Sequence, residues 1–121
     1  MQLYGNKYKS FLHATDLAKA VYLVSEKGNA GEIYNVGPED DVSMKQLVEM
    51  VQSFTGVKDL YEMSEERFGE DDKYWLDSAK IRGLGWKPEI SLDEGIRGVV
   101  EWGKCYLDTL KKMPVEYTLH R

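Results

Sequence analysis

The stretch ERFGEDDKYWLDSAKIRGLGWKPEISLDEG, Glu66 to Gly95, decides how this chain is read. Its second residue, Arg67, stands alone among acids and just ahead of Phe68-Gly69, in what reads as a loop. A guanidinium fork matches phosphate geometry, so Arg67 is either an anion contact or the ion-pair partner of those acids. KYWLD (73–77) follows as a short strand, then a brief helix capped by Asp77 or Ser78 and ended by Gly83 or Gly85. Ser91 and Glu94 form a capping box, each side chain satisfying an otherwise unpaired amide at the start of a last helix. Leu92, Ile96, Val99, Val100, Gly103, Leu107 and Leu110 give that helix one apolar stripe, and Pro114 ends it.

Upstream, KSFLHA (9–14) has the content of a short strand. A helix should follow, with Thr15 as N-cap and Asp16 in its first turn. Leu17, Ala20, Val21 and Val24 make its buried stripe, and Gly28 is placed to stop it in a left-handed conformation. GEIYNVG (31–37) reads as a compact strand. Ser43 and Gln46 form a second capping box ahead of a helix that buries Met44, Leu47, Val48 and Val51 and closes at Gly56. DLYEM (59–63) reads as a further strand. Helices alternating with short strands, without a repeat or linker, make residues 1–121 a single α/β or α+β unit.

Bulk properties narrow the function. The chain has 121 residues, 42% of them hydrophobic, and a formal charge of −5. Nucleic-acid binding needs a dense basic face; Lys111-Lys112 is the only adjacent basic pair. The lone Cys105 excludes an internal disulfide and fits a reducing compartment, so the expected location is the cytoplasm. No apolar run approaches the roughly 20 residues that span a bilayer, and MQLYGNKYKS is no signal peptide.

The chemistry is more conspicuous for what it lacks. GNAG (28–31) runs from a helix into a strand, whereas a phosphate cradle runs from a strand into a helix; GIRG (95–98) lies inside a helix. An acid/base tyrosine with lysine one helical turn later would lower its phenol pKa. None of the eight tyrosines has lysine at i+4, and Tyr117 comes nearest with Arg121. His13 and His120 are too isolated for a metal site, and His13 reads as structural. Glu65, Glu66, Glu70, Asp71 and Asp72 lack the spacing of a calcium loop and read as a solvated face.

Four motifs then fall in order. RFGEDDKYWLDSAKI resembles the R-P-G-H-D-x-R-Y-x-x-D-x-x-K segment of the extended short-chain dehydrogenase/reductases, the NAD-dependent sugar-nucleotide epimerases and dehydratases. LGWKPEISLDEGIRGVVEW resembles that family's closing L-G-W-x-P-x-x-S-x-E-E-G segment. KSFLHATDLAKA resembles its R-D-[FW]-[IL]-[YH]-V-x-D segment, and GEIYNVG the strand before its final lobe. The flavour is nearest to the dTDP-glucose 4,6-dehydratases.

The resemblance implies the C-terminal, substrate-binding portion of a Rossmann-type enzyme, with residues 1–42 like the last edge unit of the NAD-binding sheet and 43–121 the C-terminal lobe. The glycine loop and the Tyr-x-x-x-Lys pair would precede this segment, so the chain alone is expected to be catalytically incomplete and to carry no cofactor. In the whole enzyme the hexose would be oxidised at C4, with NAD as hydride acceptor. The resemblance also assigns a nucleotide-diphosphate sugar to five positions. Tyr4 would lie near the base, Lys9 stands in place of a nucleotide-contacting arginine, and Arg67 matches the arginine on the diphosphate. Asp40 replaces an asparagine, Glu70 a histidine and Phe68 a proline, and the turn between Tyr4 and Lys9 is about two residues short. Two added negative charges should weaken binding of a dianion. EIYNV would be an unpaired apolar edge, which invites self-association or an N-terminal NAD-binding half. The alternative is a non-catalytic interaction or oligomerisation protein that kept the fold and lost the ligand.

Overall fold

The computed structural model describes residues 1–114 apart from Glu66, Glu70 and Tyr74. Two small ladders organise it. Strand β1 (Gln2–Tyr4) pairs in parallel with β4 (Glu62–Ser64), Tyr4 opposite Ser64. Strand β2 (Tyr8–Lys9) pairs antiparallel with β3 (Val42–Ser43), and Tyr8 also bridges to Lys73. The predicted strand 9–14 thus reduces to its first residue, 59–63 shifts to 62–64, and among the described residues of 73–77 only Lys73 forms a bridge.

Helix α1 (Ala14–Lys27) starts earlier than its Thr15 cap was expected to allow. His13 is the N-cap: its backbone is extended, and its Nδ1 accepts from the Thr15 amide at 3.2 Å. The structural role expected for His13 is therefore a cap. At the other end Gly28 has φ −73°, not the left-handed value expected. Glycine is needed there for space, since a Cβ would stand 2.5 Å from the Val24 carbonyl oxygen. Gly56, by contrast, does close helix α2 (Met44–Thr55) at φ 71°.

The core is small. Ala20, Ile81 and Trp86 are buried together, with Leu12, Leu23, Val24, Tyr34 and Val36 packed against them. The inner half of the α1 stripe supplies it, but Leu17 and Val21 stay 46% and 63% exposed. Residues 31–37 form no strand, contrary to expectation. Burial still alternates as in a strand, Ile33 outward and Tyr34 and Val36 half-buried. What is missing is a neighbour to complete the ladder among the described residues, since a strand is defined by its pairing.

Both predicted capping boxes are formed, Ser43 with Gln46 on α2 and Ser91 with Glu94 on α4 (Leu92–Cys105). Helix α3 (Ala79–Gly83) follows Ser78, whose hydroxyl donates to the Gly37 carbonyl instead of capping the helix. The last helix was expected to run unbroken past Leu107. It breaks at Tyr106, and a short α5 (Leu107–Leu110) continues. Its stripe packs on α2, yet Val99 and Leu107 remain about half exposed. No helix among the described residues is long and apolar enough to cross a membrane.

Candidate functional site

Parallel strands end on the same side, and ligands of α/β folds gather outside those carboxyl ends. Here β1 ends at Tyr4, and Arg67 follows the end of β4. The chain turns away at Gly5 (φ 66°), whose amide donates to the Ser64 carbonyl at 3.3 Å. Above this end the Arg67 guanidinium lies over the Tyr4 ring, 3.6 Å from its centroid. The ring's negative face attracts the cation and holds it over the phenol. The Tyr4 hydroxyl donates to the Gln2 carboxamide oxygen at 2.6 Å, which fixes the ring. Arg67 is exposed, and the next side chain, Phe68, projects fully into solvent ahead of Gly69 (φ 84°).

The loop then returns to β2. The Tyr8 amide donates to the Asp72 carbonyl oxygen at 2.9 Å, and the buried Lys7 ammonium donates to the Asp72 carboxylate. Lys73 pairs with Asp41 at 2.6 Å, and Asp41 also accepts from the Ser10 hydroxyl at 2.9 Å. The Lys7 hydrogen bond holds the Asp72 carboxyl below the ordinary aspartate range. Lys73 does the same for Asp41, helped by Ser10 and opposed by burial. The acidic run expected to be only a solvated face therefore includes one carboxylate that ties the loop down.

Of the five positions singled out by sequence, Tyr4 and Arg67 are brought into contact. Lys9 lies on the adjoining ladder opposite Val42. Asp40 is exposed just before β3 and lines a groove of about 390 Å³ floored by Phe11, Leu12 and Ile90. Glu70 lies outside the described residues. Sequence reading passed over Lys7 altogether, because a lysine in a glycine-containing turn carries no sign of burial.

It also undervalued Asp16. This side chain is fully buried, and its Oδ2 accepts from the amides of Glu89 and Ile90 at 3.1 and 2.9 Å. Trp86 donates its indole N–H to the Asp16 carbonyl at 3.1 Å. The L-G-W-K-P segment is thus clamped to the first turn of α1. The signal was available, as Asp16 is the aspartate that closes the 9–20 motif.

In both glycine patterns the leading amide is already bonded within the chain. The Gly28 amide is held by the Val24 carbonyl and the Gly95 amide by that of Ser91. Among the described residues no three His, Cys, Asp or Glu side chains gather as a metal site.

A mixed α/β chain with an arginine at the carboxyl ends of parallel strands, and an L-G-W-K-P segment locked to the preceding helix, has the build of an extended short-chain dehydrogenase/reductase of the sugar-nucleotide epimerase/dehydratase kind. Residues 2–99 match GDP-mannose 4,6 dehydratase, and the chain belongs to that family. It is 37% identical over 105 residues to the dTDP-D-glucose 4,6-dehydratase of Bos taurus, a match covering 81% of this chain and 30% of the bovine protein. A UDP-glucose 4-epimerase of Thermotoga maritima, solved with UDP-glucose, superposes with TM-score 0.81 at 28% identity, over 88% of this chain and 35% of the epimerase. A dTDP-glucose 4,6-dehydratase of Streptomyces venezuelae, solved with NAD bound, gives 0.79 at 29% identity, over 90% and 35%. The chain spans about a third of the length of the proteins it matches.

Proposed function

We propose that this chain holds the nucleotide end of a nucleotide-diphosphate sugar for an NAD-dependent dehydratase/epimerase whose cofactor and acid/base pair sit in an N-terminal half. In this reading residues 1–42 are the edge unit of the cofactor sheet and 43–121 the lobe that grips the substrate. The observation that carries it is the Arg67–Tyr4 stack. A guanidinium held over an aromatic ring, at the carboxyl end of a parallel ladder, is placed to donate two parallel hydrogen bonds to a diphosphate. Lys9 adds a point charge, while Asp40 and Glu70, acids where the resemblance has an asparagine and a histidine, count against a dianionic ligand and limit affinity. Grip on the nucleotide, remote from the reacting carbon, positions the sugar for chemistry elsewhere.

The apolar residues left exposed on α1 and beyond it, Leu17, Val21, Tyr22 and Ile33, support docking of the NAD-binding half or of a second copy. The same exposure favours the second reading, a binding protein without ligand. The cytoplasm suits the unpaired Cys105 thiol.

Calorimetric titration of the folded chain with dTDP, UDP, GDP and CDP tests the proposal. One nucleotide should saturate, and Arg67→Ala should weaken it about 10- to 100-fold, the loss of charge-assisted hydrogen bonds. A folded sample that takes up none of the four refutes the ligand reading and leaves the interaction protein.

A further inference from the structure

Arg67 can meet a ligand only if its loop is held, and the loop is held at both ends. On one side β4 fixes Ser64 opposite Tyr4. On the other the chain is tied at Asp72, and the tie is unusual. Asp72 is an exposed side chain, 86% accessible, whereas its partner Lys7 is 8% accessible. A lysine is driven out of water only at a large desolvation cost, so a buried one needs its counter-charge. Lys7 is itself immobilised, because its carbonyl oxygen accepts the Met44 amide at 2.9 Å, at the first turn of α2. Lys73, next to Asp72, adds a second tie to Asp41, which Ser10 also holds.

We infer that Lys7 and Asp72 are positioning residues that latch the Arg67 loop to the α2–β2 junction and so set the guanidinium over Tyr4. This rests on the reading of Arg67 as a diphosphate contact. A mechanical path runs from α2 through Lys7 and Asp72 to the loop, and the substrate end of the site inherits its rigidity from that helix. Misplacing a binding group by an ångström costs affinity without removing any contact residue.

The test separates position from stability. Asp72→Asn takes a counter-charge from a buried ammonium and is expected to cost stability, so the double variant Lys7→Met with Asp72→Asn is made beside it; removing both charges of such a pair is often neutral for stability. Amide exchange at Tyr8 and through 71–73, and titration with dTDP and UDP, are read on each. We expect the double variant to melt near the wild type, exchange faster through the loop and bind about tenfold more weakly. Asp72→Glu, which keeps the charge, should rescue both. A double variant with unchanged exchange and affinity overturns the latch. Should the wild type bind none of dTDP, UDP, GDP and CDP, the ligand reading falls by itself. Exchange then decides the latch alone: freed amides in the double variant support it, and unchanged amides sink it.

Discussion

Trp86 donates its indole N–H to the backbone carbonyl of Asp16 at 3.1 Å, across 70 positions of sequence. The Asp16 carboxylate answers by accepting the amides of Glu89 and Ile90. These three bonds join the helix of the 9–20 motif to the L-G-W-K-P motif, and the rest of the core packs around them. Asp16→Ala would leave two amides without their acceptor in a part-buried setting. The expected loss is about 2–4 kcal/mol, read by urea denaturation. Asp16→Asn keeps one acceptor oxygen and should cost less; equal stability of Ala and wild type would refute the clamp.

Tyr4 matters through Arg67, so its removal should act on affinity more than on fold. Tyr4→Leu keeps apolar bulk on β1 and takes away the ring face. An exposed cation–π contact is worth about 0.5–1 kcal/mol. Nucleotide-diphosphate binding should weaken roughly two- to fivefold, well short of the Arg67→Ala effect. An equal or larger loss in Tyr4→Leu would mean the phenol touches the ligand itself.

Gly28→Ala isolates a steric requirement from a conformational one. Its φ of −73° suits any residue, yet the added Cβ would meet the Val24 carbonyl at 2.5 Å and the Val24 Cγ1 at 2.9 Å. Destabilisation of about 1–3 kcal/mol follows from overpacking. A neutral substitution, measured by thermal melting, would show that the end of α1 can open at no cost.

Acid should release the loop. The carboxyls of Asp72 and Asp41 are held below the ordinary aspartate value, chiefly by hydrogen bonds from Lys7 and Lys73. A lowered folded-state pKa adds stability that is complete above the unfolded value of about 3.9 and is lost as pH falls through the folded one. The gap in melting temperature between wild type and Asp72→Asn should therefore be open at neutral pH and close below about pH 4. A gap independent of pH would assign the Asn defect to something other than charge.

Association should track the outer face of α1. Val21 and Ile33 are 63% and 80% exposed, so Val21→Asp and Ile33→Asp leave the core untouched. Sedimentation across a range of concentrations should show the wild type forming larger species and the double variant staying monomeric. A wild type that remains monomeric throughout counts against docking on this face.

Much of the local structure could be read ahead of the fold. Both capping boxes formed because Ser and Gln or Glu three apart satisfy amides within their own turn. Gly56 likewise needed only its own backbone. Some errors were local, as at the Thr15 cap, Gly28 and the break at Tyr106; the larger ones lie where partners are distant. Residues 31–37 have the alternation of a strand but no neighbour among the described residues, and of the described residues in 73–77 only Lys73 pairs, with Tyr8 of the two-residue β2. Of the site, Arg67 and Tyr4 were legible through their motifs, whereas Lys7 was not, since burial of a lysine is decided by what folds over it.

By itself the sequence determined where the helices lie, both capping boxes, the order of four motifs and hence the family, all of which depend on residue types at short, fixed spacing. Tertiary structure alone decided that Arg67 stacks on Tyr4, that Asp72 reaches the buried Lys7 and that Asp16 receives Glu89 and Ile90. Those contacts join residues more than sixty positions apart, and a charge or hydrogen bond at that range exists only after packing has brought the two groups side by side.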